Sequence, residues 1–157
     1  MSRSDRAEAL LGLEPEQRRE ELRLLSHAER AALGRHWRLW AHPVQLPPSE
    51  AWHLWLIMAG RGFGKTRAGA EWVRAIAEAD PTARIALVAA SLGEARRVMV
   101  EGESGLLAIA SPRKRPRFEP SRRQLVWPGG ARATFYSAAE PESLRGPQHS
   151  HASRSGS

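Results

Sequence analysis

Lys65 and Thr66 follow directly on a glycine-rich run, Ala59-Gly60-Arg61-Gly62-Phe63-Gly64. Those residue types at that spacing suit a phosphate. Glycines let the backbone curl until successive N–H groups point at one anion, and a helix opening there adds its positive end. A lysine in that place reaches the β- and γ-phosphates of a nucleotide, and the neighbouring hydroxyl ligates Mg²⁺. The complete phosphate-loop (P-loop) pattern is G-x-x-x-x-G-K-[ST], and Ala59 stands where its first glycine belongs. The competing reading is an ordinary strand-to-helix turn that carries a lysine. The order apolar run, glycine turn, helical pattern favours the phosphate loop, with ATP and Mg²⁺ as its ligands. Arg61 lies inside the loop, where it either supplies charge to a phosphoryl-transfer transition state or is a solvated side chain.

The elements that would hold this loop read as an α/β domain. Leu54 to Ala59 is continuously apolar, the pattern of a buried parallel strand. A helix follows from Lys65 to about Ala79, with Trp72, Val73, Ile76 and Ala77 at helical spacing and Asp80-Pro81 as its stop. Ile85 to Ala90 is a second buried strand, completing a β-α-β unit with a right-handed crossover. Ser91 with Glu94 makes a capping box for a helix through about Val100. Gln124 to Trp127 and Ala131 to Tyr136 flank Pro128-Gly129-Gly130, which reads as a hairpin. From Glu140 onward the chain is polar, and its end, Ser153-Arg154-Ser155-Gly156-Ser157, reads as disordered. His149 and His151 lack further ligands nearby and are not taken as a metal site.

Ahead of the loop, residues 1–40 read as short helices. Glu14-Pro15-Glu16 is a helix start, Leu22, Leu24 and Leu25 form a small apolar face, and Ser26 with Glu29 is a second capping box. This arm is either a solvated appendage or a docking element for a partner. The prolines of His42-Pro43-Val44-Gln45-Leu46-Pro47-Pro48 exclude regular helix there. A rigid extended segment at that point could set the Gln45 amide, donor and acceptor together, against an adenine edge.

The chain of 157 residues has a net charge of +7 and a pI near 11.2, which suits a polyanionic partner. All but two of its 24 basic residues are arginine, so a compositional bias contributes to that surplus. Arg113-Lys114-Arg115-Pro116-Arg117 and Arg122-Arg123 concentrate it, as a solvated loop or as a contact to a phosphate backbone. The absence of cysteine excludes a disulfide scaffold and thiolate metal sites, and agrees with an intracellular protein. No apolar run has the length of a membrane span, and no secretory signal opens the chain.

Leu56–Arg74, Pro43–Pro47, Ala86–Leu107 and Leu144–Ala152 together make the sequence resemble the large terminase subunit of tailed bacteriophages and gene transfer agents, the ATP-driven DNA-packaging motor. That resemblance implies a P-loop NTPase of the additional-strand, RecA-like type, with an incomplete parallel sheet flanked by helices and an N-terminal helical arm. It implies Arg61 and Lys65 as catalytic residues, and Gln45, Gly60, Gly62, Gly64, Lys65, Thr66 and Arg67 as nucleotide contacts, with Thr66 on the metal. It further implies double-stranded DNA, the small terminase subunit and the portal as partners, with homo-oligomers in the motor, no membrane, and a place in the bacterial cytoplasm and transiently at the procapsid portal.

In that family a Walker B strand ending in Asp-Glu follows the Leu-Arg-Gly stretch. Here Ser153-Arg154-Ser155-Gly156-Ser157 follows Ala152, and the two aspartates, Asp5 and Asp80, lie elsewhere. The family's metal-dependent nuclease half has no counterpart either. The expectation is therefore a helical arm at 1–40, a partial ATPase domain at 41–152 ending before Walker B, and a disordered tail at 153–157. The rival reading is a binding module left by truncation that takes nucleotide, DNA or small terminase without turnover. A nucleotide kinase or other P-loop enzyme ranks below both, because no acceptor site with acidic residues is visible.

Overall fold

The computed structural model describes residues 3–155, which divide into two compact units, residues 1–53 and 54–157. Residues 41–53 group with the helices of the first unit.

The first unit is built from four helices: α1 (Arg3–Leu11), α2 (Pro15–Leu24), α3 (His27–Leu33) and α4 (Trp37–Trp40). Its core is small, with Ala7, Leu10, Leu25, Leu33 and Leu39 buried and Leu11, Leu13 and Leu22 packed against them. Polar ties supplement so little burial. The Arg18 guanidinium donates to the carbonyls of Leu10, Leu11 and Leu13, satisfying the open end of α1. Arg30 does the same for α2 through Leu25 and Arg23. Pro15 opens α2, and the capping box of Ser26 and Glu29 is complete at the start of α3. After α4 the prolines allow only one short 3₁₀ turn, Pro43–Gln45.

The second unit is a five-stranded sheet in the order β2-β3-β4-β1-β5, with β1 (Arg84–Ala89), β2 (Arg117–Glu119), β3 (Gln124–Val126), β4 (Arg132–Ser137) and β5 (His151–Arg154). β1 runs parallel to both β4 and β5, whereas β3 is antiparallel to its two neighbours β2 and β4, so the sheet is mixed and not purely parallel. The hairpin across Pro128-Gly129-Gly130 is present as β3 and β4, with Gly130 at φ 111°. The helix expected after the glycine loop is α5 (Lys65–Ala79), and Asp80 caps its end. α6 (Leu92–Glu94) begins on the Ser91 hydroxyl, which accepts from the Glu94 N–H, and continues as a π-helical turn through Val100. α7 (Leu106–Ile109) follows Gly105, whose added Cβ would stand 2.5 Å from the Val100 carbonyl oxygen, so that approach requires glycine.

Two expectations fail here. Leu54–Ala59 is not a strand of the sheet, and the β-α-β unit built on it does not form. β1 already has β4 and β5 as its two neighbours, and 54–59 pairs with neither outer edge. No strand pairs with it, and Leu54, Leu56 and Met58 are 82%, 69% and 85% exposed, while Trp55, Ile57 and Ala59 are half-buried. Conversely, the end of the chain expected to be disordered from Ser153 takes part in β5, which pairs with β1 from His151 to Arg154, and the Ser155 N–H donates to the Val88 carbonyl. Backbone pairing, which is indifferent to side-chain polarity, orders this segment. Residues 156 and 157 lie outside the described residues.

The registers assign each strand residue to a face. Phe118, Leu125, Ala133, Phe135, Ile85, Leu87 and Ala89 share one face and form the main core with Ala70, Val73 and Ala77 of α5, Met99, Val100, Leu106 and Ile109. The opposite face carries Arg117, Glu119, Gln124, Val126, Arg132, Thr134, Tyr136, Arg84, Ala86, Val88, Ala152 and Arg154. Among the described residues no helix is long and apolar enough to cross a membrane.

Candidate functional site

The glycine run is a tight turn leading straight into a 15-residue helix. Gly62 and Gly64 have φ of 79° and 84°, the left-handed region that L residues avoid, and Gly64 is the N-cap of α5. A glycine cap offers no side chain to the first N–H groups of the helix, so these point outward as donors for a ligand. Nothing lies within 4 Å of where a Cβ would stand on Gly60 or Gly62. The space beside these two glycines is open.

Lys65 closes this turn upon itself. Its Nζ donates to the Ala59 carbonyl at 2.6 Å and to the Gly60 carbonyl at 3.0 Å. The ammonium is therefore held over the loop by two backbone oxygens. Thr66 is half-buried in the first turn of α5, and Arg61 is exposed at the tip of the loop.

Arg67 pairs along its own helix. Its Nε and a terminal nitrogen donate to Glu71 Oε1 at 2.9 and 2.8 Å, one turn further along α5. Arg74 grips the other oxygen of Glu71 at 2.8 and 2.7 Å and reaches Glu78, which also meets Lys114 at 3.2 Å. Glu71 is only 3% exposed, so this ladder is a partly desolvated ion network along the helix that carries the loop. Burial opposes the charge on Arg74, but Glu71 and Glu78 outweigh it and raise its pKa above the ordinary value. Arg67 at i−4 and Arg74 at i+3 from Glu71 are the sequence spacing of such an ion ladder. A Cβ on Gly69 would meet Ser153 Oγ at 3.5 Å, which seats α5 against β5.

Gln45 belongs to the first unit. Its amide oxygen accepts the His42 N–H at 2.8 Å, closing a capping box around Pro43–Gln45. The basic run divides in space. Lys114 turns to Glu78 on α5, while Arg117 and Arg122 meet Glu119. Among the described residues no group of three or more His, Cys, Asp or Glu could hold a metal. An open groove of about 380 Å³ lined by Leu13, Gln17, Glu20, Glu21 and Leu24 presents carboxylates, which suits no phosphate.

Residues 56–152, from the segment before the glycine loop into β5, match the family model of the terminase large subunit, T4likevirus-type, N-terminal. This chain belongs to the large terminase subunit family, through its N-terminal part. No curated protein and no solved structure matches it. Membership supports a role for this terminase in phage DNA packaging, with DNA and the packaging complex as its partners in general terms.

Proposed function

We propose that the loop at 60–66 holds the phosphates of ATP, and that this terminase chain supplies the nucleotide site of an ATP-driven packaging motor. The fold reading that accompanies it is a P-loop NTPase of the additional-strand type. The observation that carries the proposal is the posture of Lys65, whose ammonium is tied to the Ala59 and Gly60 carbonyls above a turn with two left-handed glycines. An anion entering that turn meets the N–H groups behind Gly64 and takes over the lysine from those two carbonyls. Mg²⁺, brought in with the nucleotide, would find the Thr66 hydroxyl and phosphate oxygens as ligands and would neutralise charge on the phosphates. Arg61, exposed at the loop tip, is the residue free in reach to meet charge developing on the terminal phosphate. Arg67 supports the site through Glu71, by fixing the first two turns of α5.

A second reading, nucleotide binding without turnover by this chain alone, draws on Glu71. The carboxylate nearest the loop along α5 is buried between two arginines and is not available to orient a water. One experiment separates these readings. The full chain is titrated with a fluorescent ATP analogue and Mg²⁺, and phosphate release is followed on the same sample. Binding abolished by Lys65→Ala supports the phosphate loop, and equal affinity in parent and variant refutes it. Steady release that Lys65→Ala abolishes selects the motor ATPase, and binding without release selects the binding module.

A further inference from the structure

The two faces of the sheet differ in charge as well as in burial. Among strand residues, the face packed against α5 and α7 bears no carboxylate, lysine or arginine. The opposite face bears Arg84, Arg117, Arg132 and Arg154 against one carboxylate, Glu119. Three of these arginines fall in one row. Arg117 of β2 stands beside Val126 of β3, Val126 beside Arg132 of β4, and Arg132 beside Arg84 of β1. With strands about 4.8 Å apart, this row crosses about 14 Å of sheet. Arg122, 70% exposed, extends it through Glu119, which it shares with the 76% exposed Arg117.

We propose that this arginine row is a contact surface for the phosphate backbone of duplex DNA. Family membership brings DNA to this terminase without assigning it to any residue, and the inference concerns the face that receives it. The length of the row matches the scale of the duplex grooves, about 6 and 12 Å wide, so its ends meet phosphates on both sides of a groove. Arginine side chains give charge-assisted hydrogen bonds to phosphate oxygens. The face offers no helix to enter the major groove, so the contact reads backbone and not sequence. It offers no stacking platform for a single strand either. Its one aromatic residue among the strands, Tyr136, is 8% exposed and lies edge-on to His149 at 5.2 Å. The proposal does not rest on nucleotide binding by the glycine loop.

The test is the salt dependence of binding to a labelled 30-base-pair duplex, measured by anisotropy on the full chain without nucleotide. Arg117→Gln with Arg132→Gln is the decisive variant. Arg84 is left alone because its guanidinium holds the Thr82 and Ala83 carbonyls. Arg35→Gln with Arg38→Gln, exposed residues of the helical unit, removes the same charge elsewhere. The expected result is a log–log salt slope smaller by about two in the sheet variant, and unchanged in the control. Equal losses in both variants would overturn the proposal in favour of unspecific attraction. So would no duplex binding at low salt, tighter binding to oligo-dT than to duplex, or a preference for an acidic polypeptide. If the first pair does not fold, Arg117→Gln with Arg154→Gln on the same face replaces it, judged by the same slope.

Discussion

Downstream of the glycine loop, α5 lies with Ala68, Ala70, Val73 and Ala77 buried and its charges locked by Glu71; upstream, Leu54, Leu56 and Met58 stand in solvent and pair with no strand. Both flanks are rich in apolar residues, so composition does not separate them. Partners do. The apolar stripe of α5 meets the open face of β1 and β4, whereas 54–59 meets no sheet edge that could satisfy its backbone. The loop is therefore shaped from its helical side, by Gly62, Gly64 and the first turn of α5.

The comparison can be broken most severely at Glu71. Glu71→Ala leaves Arg67 and Arg74 without their shared carboxylate. Losing one partner of a buried pair costs roughly 3–5 kcal/mol, and the residual water contact of both arginines places this case near ~3 kcal/mol. Urea unfolding of parent and variant measures it, and a change below about 0.5 kcal/mol would show that the ladder does not anchor α5.

A second test concerns His149, whose two ring nitrogens are buried without partners against Tyr136. Burial lowers its pKa below the ordinary value. The unfolded chain then binds a proton that the folded chain resists, so stability is full above the ordinary histidine range, about 6.5, and declines as pH falls below it. Thermal unfolding between pH 7.5 and 5 should show this loss, and His149→Phe should flatten it. A slope identical in the variant would assign the effect to other groups.

The smallest effects belong to the upstream flank. Leu56→Ser and Met58→Ser each remove an apolar side chain that water already reaches, and should change stability by no more than about 0.5 kcal/mol. A loss of 2 kcal/mol or more in urea would mean that the flank is packed after all.

What the sequence disclosed follows the same division between local and distant causes. The glycine turn, α5 and its stop at Asp80, the strand β1, the hairpin and the capping box at Ser26 are set by neighbours a few positions away, and each is where the pattern places it. The failures are questions of who pairs with whom. Leu54–Ala59 has the composition of a buried strand and pairs with no strand of the sheet, while His151–Arg154 has the composition of a tail and pairs with β1. At the site, Lys65 and the glycines were readable from spacing. The role of Glu71 was readable only in part, because its burial depends on the whole packing of α5 on the sheet.

Amide hydrogen exchange across residues 54–79, with and without Mg²⁺ and ATP, tests the central claim most directly. Without nucleotide, 54–59 should exchange fast and the interior of α5 slowly. With nucleotide, new protection should appear at Gly60 to Thr66 in the parent and be absent in Lys65→Ala. Unchanged exchange in the loop of the parent at saturating ATP, or equal protection in the variant, would contradict the claim that this turn is a phosphate site.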